Sequence, residues 1–172
     1  IYEQLMDKKS PNKLILMSEL KRAIDSDQLI IKFQPKIDMT TNKICSCEAL
    51  LCWQHPTFGL MDSDKFIPAA ERTGLIKDLT QFVLKQSIAY ASQWYKRGKD
   101  IGVSINLSAL DMMDVELPFT IESLLNVFDF PASLLTLEII ESYHLTDNDR
   151  VIEVIKRLSA QGIQISLDEF GT

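Results

Sequence analysis

Cysteine and histidine are scarce: three and two among 172 residues. Three thiols cannot build a disulfide framework and suit a reducing, cytoplasmic setting. Two histidines leave little basis for imidazole catalysis. No apolar run approaches the roughly 18–20 residues of a membrane span, and the start lacks a signal-peptide pattern, so direct membrane insertion of this segment is not expected. Long basic runs are missing too; Asp and Glu number 24 against 18 Lys and Arg, a net charge of −6. That balance disfavours a nucleic-acid polymer or an anionic membrane as partner. What is present is globular composition, 46% hydrophobic and 24% charged, at a length suited to one domain. The first residue, Ile1, is expected of a segment of something longer or of a processed form.

Leu14, Leu16, Met17, Leu20, Ala23 and Ile24 follow helical spacing, which predicts a lead-in helix within a linker over 1–28. Leu29 to Phe33 reads as a short strand closed by Gln34-Pro35, and Thr40 to Lys43 as the turn before a second strand over Ile44 to Trp53. Ser63 is positioned to cap a helix ending at Gly74, and a longer helix is expected from about Ile76 to Arg97. Strand and helix then alternate: strands at Ile101–Asn106, Leu134–Ile140 and Ile163–Leu167, helices around Pro118–Phe128 and Asn148–Ala160 with Gly162 as the last stop. This rhythm predicts an α/β fold with a parallel sheet and right-handed crossovers. An open doubly wound sheet and a closed barrel both satisfy it. No glycine-rich phosphate loop follows the first strand, and polar residues end or interrupt most strands, as where a barrel gathers side chains at one end. A TIM-like (β/α) barrel is therefore expected. With about five strands against the eight of a barrel of about 250 residues, it is incomplete as written.

Alternation puts Glu48, Leu50 and Cys52 on one face of the second strand, leaving Glu48 an acid within an apolar stretch. A lone buried carboxylate is costly and is usually neutralised, paired or metal-bound. Glu138 repeats the pattern within Leu134–Ile140, and Asp168-Glu169 after Ile163–Leu167. Singly, each acid is better read as a surface residue or a partner of Lys or Arg. Recurring at equivalent strand positions beside Asn106, they describe an all-oxygen site for Mg2+ or Mn2+. Cys45, Cys47, Cys52 and His55 form a weaker candidate for zinc, because alternation turns Cys45 and Cys47 away from Cys52. Phe82, Tyr90 and Trp94 stand at helical intervals and read as packing, not as a base-stacking platform.

Phe33-Gln34-Pro35, the Glu48-Ala49-Leu50 triplet, Trp53-Gln54-His55-Pro56, Phe66-Ile67-Pro68-Ala69-Ala70-Glu71, Ser104-Ile105-Asn106-Leu107-Ser108, Leu137 to Ser142 and Asp168-Glu169-Phe170-Gly171-Thr172 follow in order. Together they resemble the EAL family of cyclic di-GMP phosphodiesterases over residues 29–172. The resemblance implies a TIM-like barrel that hydrolyses one phosphodiester of cyclic di-GMP to the linear dinucleotide with two divalent metals. It also implies that Glu48, Asn106, Glu138, Asp168 and Glu169 serve the metal site, with Glu48 and Asp168 catalytic. Gln34, Leu50 and the residue at Cys52 would line the nucleotide site, and Glu141 would brace the loop starting at Asp168.

Three departures from the family pattern lead to an expectation of weak or absent activity, or of a non-catalytic receptor or protein-interaction regulator. Cys52 stands where the family has a phosphate-gripping Arg. Glu169 replaces the second of two paired aspartates. The sequence stops at Gly171-Thr172, so the family's later Lys and Glu are absent from it. The missing strands also lead to the expectation of an open edge and an apolar inner face, covered in a homodimer or by a neighbouring segment. Signalling domains upstream or downstream, and tethering of a larger bacterial signalling protein to a membrane, are further expectations.

Overall fold

The computed structural model describes residues 10–140 and 149–168. Helix α1 (Ser10–Ile24) leads into an antiparallel pair, β1 (Leu29–Asp38) and β2 (Lys43–His55). A short strand, β3 (Gly59–Asp62), folds back on β2, followed by α2 (Ile67–Thr73) and the long α3 (Ile76–Lys96). Then come β4 (Gly102–Leu107), α4 (Leu117–Phe128), β5 (Leu135–Ile140), α5 (Asp149–Ala160) and β6 (Gln164–Asp168). The sheet order is β1-β2-β4-β5-β6, with β2, β4, β5 and β6 mutually parallel. This is the expected α/β arrangement of a partial TIM-like barrel.

Odd-numbered residues of the parallel strands form the outer, helix-facing layer. Val103, Ile105, Leu107, Leu135, Leu137 and Ile139 are almost fully buried there, in one core with Leu84, Ile88, Ile121, Val154 and Leu158 of the helices. Helix α1 joins that core through Leu16, Met17, Leu20 and Ala23. Glycines stop the helices where read: Gly74 and Gly162 take φ of 78° and 84°, values that only glycine adopts freely. Phe33 meets Trp94 and Tyr90 edge-on at 4.8 and 5.7 Å, so these two aromatics of α3 do pack.

Three sequence expectations are corrected. Strand β1 does not end at Gln34-Pro35: Pro35 pairs in register with Cys47, and the strand continues to Asp38. Proline is tolerated because β1 has β2 as its sole strand partner among the described residues, so its missing N–H interrupts no second ladder. Ser63 does not cap a helix; it opens a three-residue 3-10 turn after Asp62, and α2 begins at Ile67 without a side-chain cap. The inner face is not apolar. The even-numbered positions on it include Lys36, Ser46, Glu48, Ser104, Asn106, Thr136, Glu138, Gln164 and Ser166.

Candidate functional site

The polar inner face gathers its charged groups around the middle of β2. In register, Gln34 stands opposite Glu48 and Glu48 beside Ser104; Asn106 pairs with Glu138, and Glu138 with Ser166. The row of candidate ligands climbs between β2 and β4 and again between β5 and β6, and stays level between β4 and β5. Asn106 lies two residues beyond Glu48's partner, and Asp168 two beyond Glu138's, the stagger that strand tilt imposes on a barrel.

Asn106 Nδ2 donates to Glu48 Oε1 at 2.8 Å, linking β4 to β2. Glu138 is only 8% exposed, and a buried carboxylate needs a partner. That partner is Lys36, whose Nζ donates to Glu138 Oε1 and to Ser104 Oγ (3.3 Å) and lies 3.7 Å from Glu48 Oε2. Three expected site residues, Glu48, Asn106 and Glu138, are thus brought together, with a cation between the acids. Lys36 was not singled out from sequence. Its signal was available: it stands two residues after Gln34 and so shares that residue's face once the strand runs through Pro35.

The other expected residues are placed less centrally. Gln34 is exposed on β1, and Leu50 is half-buried on β2. Cys52 is 3% exposed, its Sγ 3.6 Å from Asp62 Oδ1 on β3, and burial pushes its thiol pKa up. Asp168 ends β6, paired with Ile140. Glu141, Glu169 and His144 lie outside the described residues. Among the described residues no group of three His, Cys, Asp or Glu side chains is placed to hold a metal. His55 is engaged elsewhere: its Nδ1 accepts the N–H groups of Thr57 and Phe58 (3.1 and 3.3 Å), so Nε2 carries the proton, 3.2 Å from Glu19 Oε2 on α1. For a hard divalent cation the central donors do fit in kind: two carboxylates and a carboxamide whose nitrogen is already used on Glu48, leaving oxygen.

The loop after Asn106 is fixed by Asp111, whose Oδ2 accepts from Ser108 N (2.9 Å) and Ser108 Oγ (2.7 Å). Burial pushes the Asp111 carboxyl above its ordinary value of 3.8, against the Ser108 hydrogen bonds. Three residues on, the hydrogen bond from Lys77, 2.9 Å away, draws Asp114 below 3.8. The two therefore act in opposite senses on stability. Asp111's contribution is full below pH 3.8 and is lost as pH rises through its raised folded value; Asp114's is present above 3.8 and is lost as pH falls through its lowered one. Carbon-detected NMR titration is expected to place the two midpoints on opposite sides of 3.8; both on one side would refute this account.

A family model described as the EAL domain matches residues 17–172. The bifunctional diguanylate cyclase/cyclic di-GMP phosphodiesterase MucR of Pseudomonas aeruginosa is 34% identical over 172 residues, 99% of this chain and 25% of that protein. The cyclic di-GMP phosphodiesterase PA2567 of the same organism is also 34% identical over 172 residues, 99% of this chain and 29% of that protein. The chain thus spans about a quarter of the length of these curated relatives. The solved PaMucR phosphodiesterase in complex with c-di-GMP superposes with a TM-score of 0.86 at 35% identity, covering 91% of this chain and 64% of that one.

Proposed function

Because the chain belongs to the EAL domain family, we propose that its polar inner face binds cyclic di-GMP beside a divalent-metal site, with hydrolysis to the linear dinucleotide weak or absent. The observation that carries this reading is the cluster of Glu48, Asn106 and Glu138 on three neighbouring parallel strands, in a family with relatives named as cyclic di-GMP phosphodiesterases. Glu48, Asn106 and Glu138, with Asp168 at the end of β6 and the next residue in sequence, Glu169, would hold Mg2+ or Mn2+. Bound there, the ion would activate water and neutralise charge on the scissile phosphate. Gln34 and Leu50, flanking Glu48 on the same face, would line the nucleotide, and Glu141 would brace the loop that starts at Asp168.

Weak activity, or a purely receptor role, is supported by two departures. Cys52 puts a buried thiol where the family pattern has a phosphate-gripping Arg, and Glu169 lengthens the second acid by a methylene. A cytoplasmic setting is part of the same reading, supported by the free thiols of Cys45, Cys47 and Cys52. So are signalling domains beyond residues 1–28, whose helix α1 is docked on the domain. Pairing of two copies has as its support β1 and β6, each with one strand partner among the described residues.

Calorimetry with Mn2+ is expected to show cyclic di-GMP binding that Glu48→Ala abolishes, while chromatography detects little or no linear product. Binding that survives Glu48→Ala overturns the site. Rapid metal-dependent turnover keeps the site and overturns the weak-activity reading.

A further inference from the structure

Lys36 lies where β1 departs from regular pairing. It stands opposite Ser46, but the next residue, Ile37, is opposite Ile44, so Cys45 is the extra residue of a bulge and its Sγ reaches the Lys36 carbonyl oxygen (3.4 Å). Bulges recur beside functional sites because they re-aim a side chain. Here the row next to the bulge is small, Ser46 and then Gly102, so a long side chain has room to cross. At Gly102 even a methyl group would come within 3.2 Å of the Leu134 carbonyl oxygen and 3.4 Å of Ser46 Cβ. From β1 the ammonium spans to β2, β4 and β5, touching Ser104 and Glu138 and standing 3.7 Å from Glu48.

We propose that Lys36 is a positioning residue for the metal site: a resident counter-ion that holds Glu48 and Glu138 together and that a divalent cation must displace. The proposal rests on the metal-site reading of those two acids. Without a cation between them, the two carboxylates would repel at close range within a partly buried face. A divalent ion seeks the same oxygens, and two cations sharing one carboxylate oxygen repel each other. Lys36 therefore organises the ligands and at the same time raises the metal concentration needed to fill the site. An arginine would not serve as well, since its guanidinium is larger and fixed in a planar fork.

The test is calorimetric titration of the chain with Mn2+ alone, for wild type, Lys36→Met and Lys36→Gln, with Glu138→Gln as the control on the underlying reading. Loss of two partly screened ion pairs predicts Mn2+ binding about three- to tenfold tighter in Lys36→Met. The metal-free Met variant should also melt lower than wild type, and saturating Mn2+ should close that gap. Where Lys36→Met fails to fold, as judged by circular dichroism, Lys36→Gln gives the same affinity readout while keeping a hydrogen bond to Ser104 within reach. Equal or weaker Mn2+ binding in the folded neutral variant overturns the proposal and leaves the metal site standing, provided Glu138→Gln binds Mn2+ more weakly. Mn2+ binding undiminished in Glu138→Gln, or absent from every variant, overturns the metal-site reading and the proposal with it.

Discussion

Trp53→Ala is expected to cost about 3–5 kcal/mol of stability, the usual range for deleting a large buried aromatic. Trp53 is 0% exposed near the end of β2. Its ring packs against His55 and Phe66 with centroids at 4.6 and 5.8 Å, and its Nε1 donates to Gln28 Oε1 at 3.3 Å, just before β1. Alanine removes the ring, leaves a cavity between β2 and the segment before α2, and strands the Gln28 oxygen. Against a total domain stability of about 5–15 kcal/mol, that is a loss large enough to populate the unfolded chain. Urea denaturation followed by circular dichroism should show a lower midpoint at an unchanged slope. A loss below about 1 kcal/mol, the size of an ordinary substitution, would mean that the ring's surroundings repack freely.

Glu138→Ala should weaken Mn2+ binding by about a hundredfold or more, at or beyond the upper end of what losing a supporting group at a metal site costs. The residue is buried at 8% exposure and contacts Lys36, while Asn106 and Ser166 flank it in register. Its loss takes away one of the two carboxylates that Lys36 links and removes a competitor for the ammonium, so that Lys36 turns more fully to Glu48, an oxygen donor the metal also needs. Were Glu138 only half of a structural ion pair, Ala would change the melting temperature and leave metal affinity untouched, as calorimetry and thermal melts on one preparation would reveal.

The fold was legible wherever side-chain period and punctuation agreed. The strands containing Asn106 and Glu138 alternate cleanly, and helices α3, α4 and α5 carry apolar spacings that end at or near Gly98, Asp129 and Gly162. Glu48, Asn106 and Glu138 could be grouped because burying an acid needs a reason. Legibility failed where a local rule met a tertiary exception. Pro35 argues against a strand, but an edge strand has a side on which no N–H is required; stopping β1 there hid Lys36. A barrel interior is not a general apolar core, and Ser46, Ser104, Thr136 and Ser166 stand at even positions of the inner face in the sequence itself. The short β3 carries too few residues for a period and is defined by its pairing with β2.

The climbing row of polar residues also bears on how the chain avoids folding wrongly. Sliding one strand past its neighbour by two residues preserves inside and outside, so every Val, Ile and Leu of the outer layer still reaches the helices and the hydrophobic effect barely registers the error. The carboxamide of Asn106 would then miss Glu48, and the ammonium of Lys36 would miss Glu138, leaving a buried acid unneutralised. The residues that equip this face for chemistry thus act as an alignment key during assembly, detecting a class of mistake to which the greasy side of the sheet is blind.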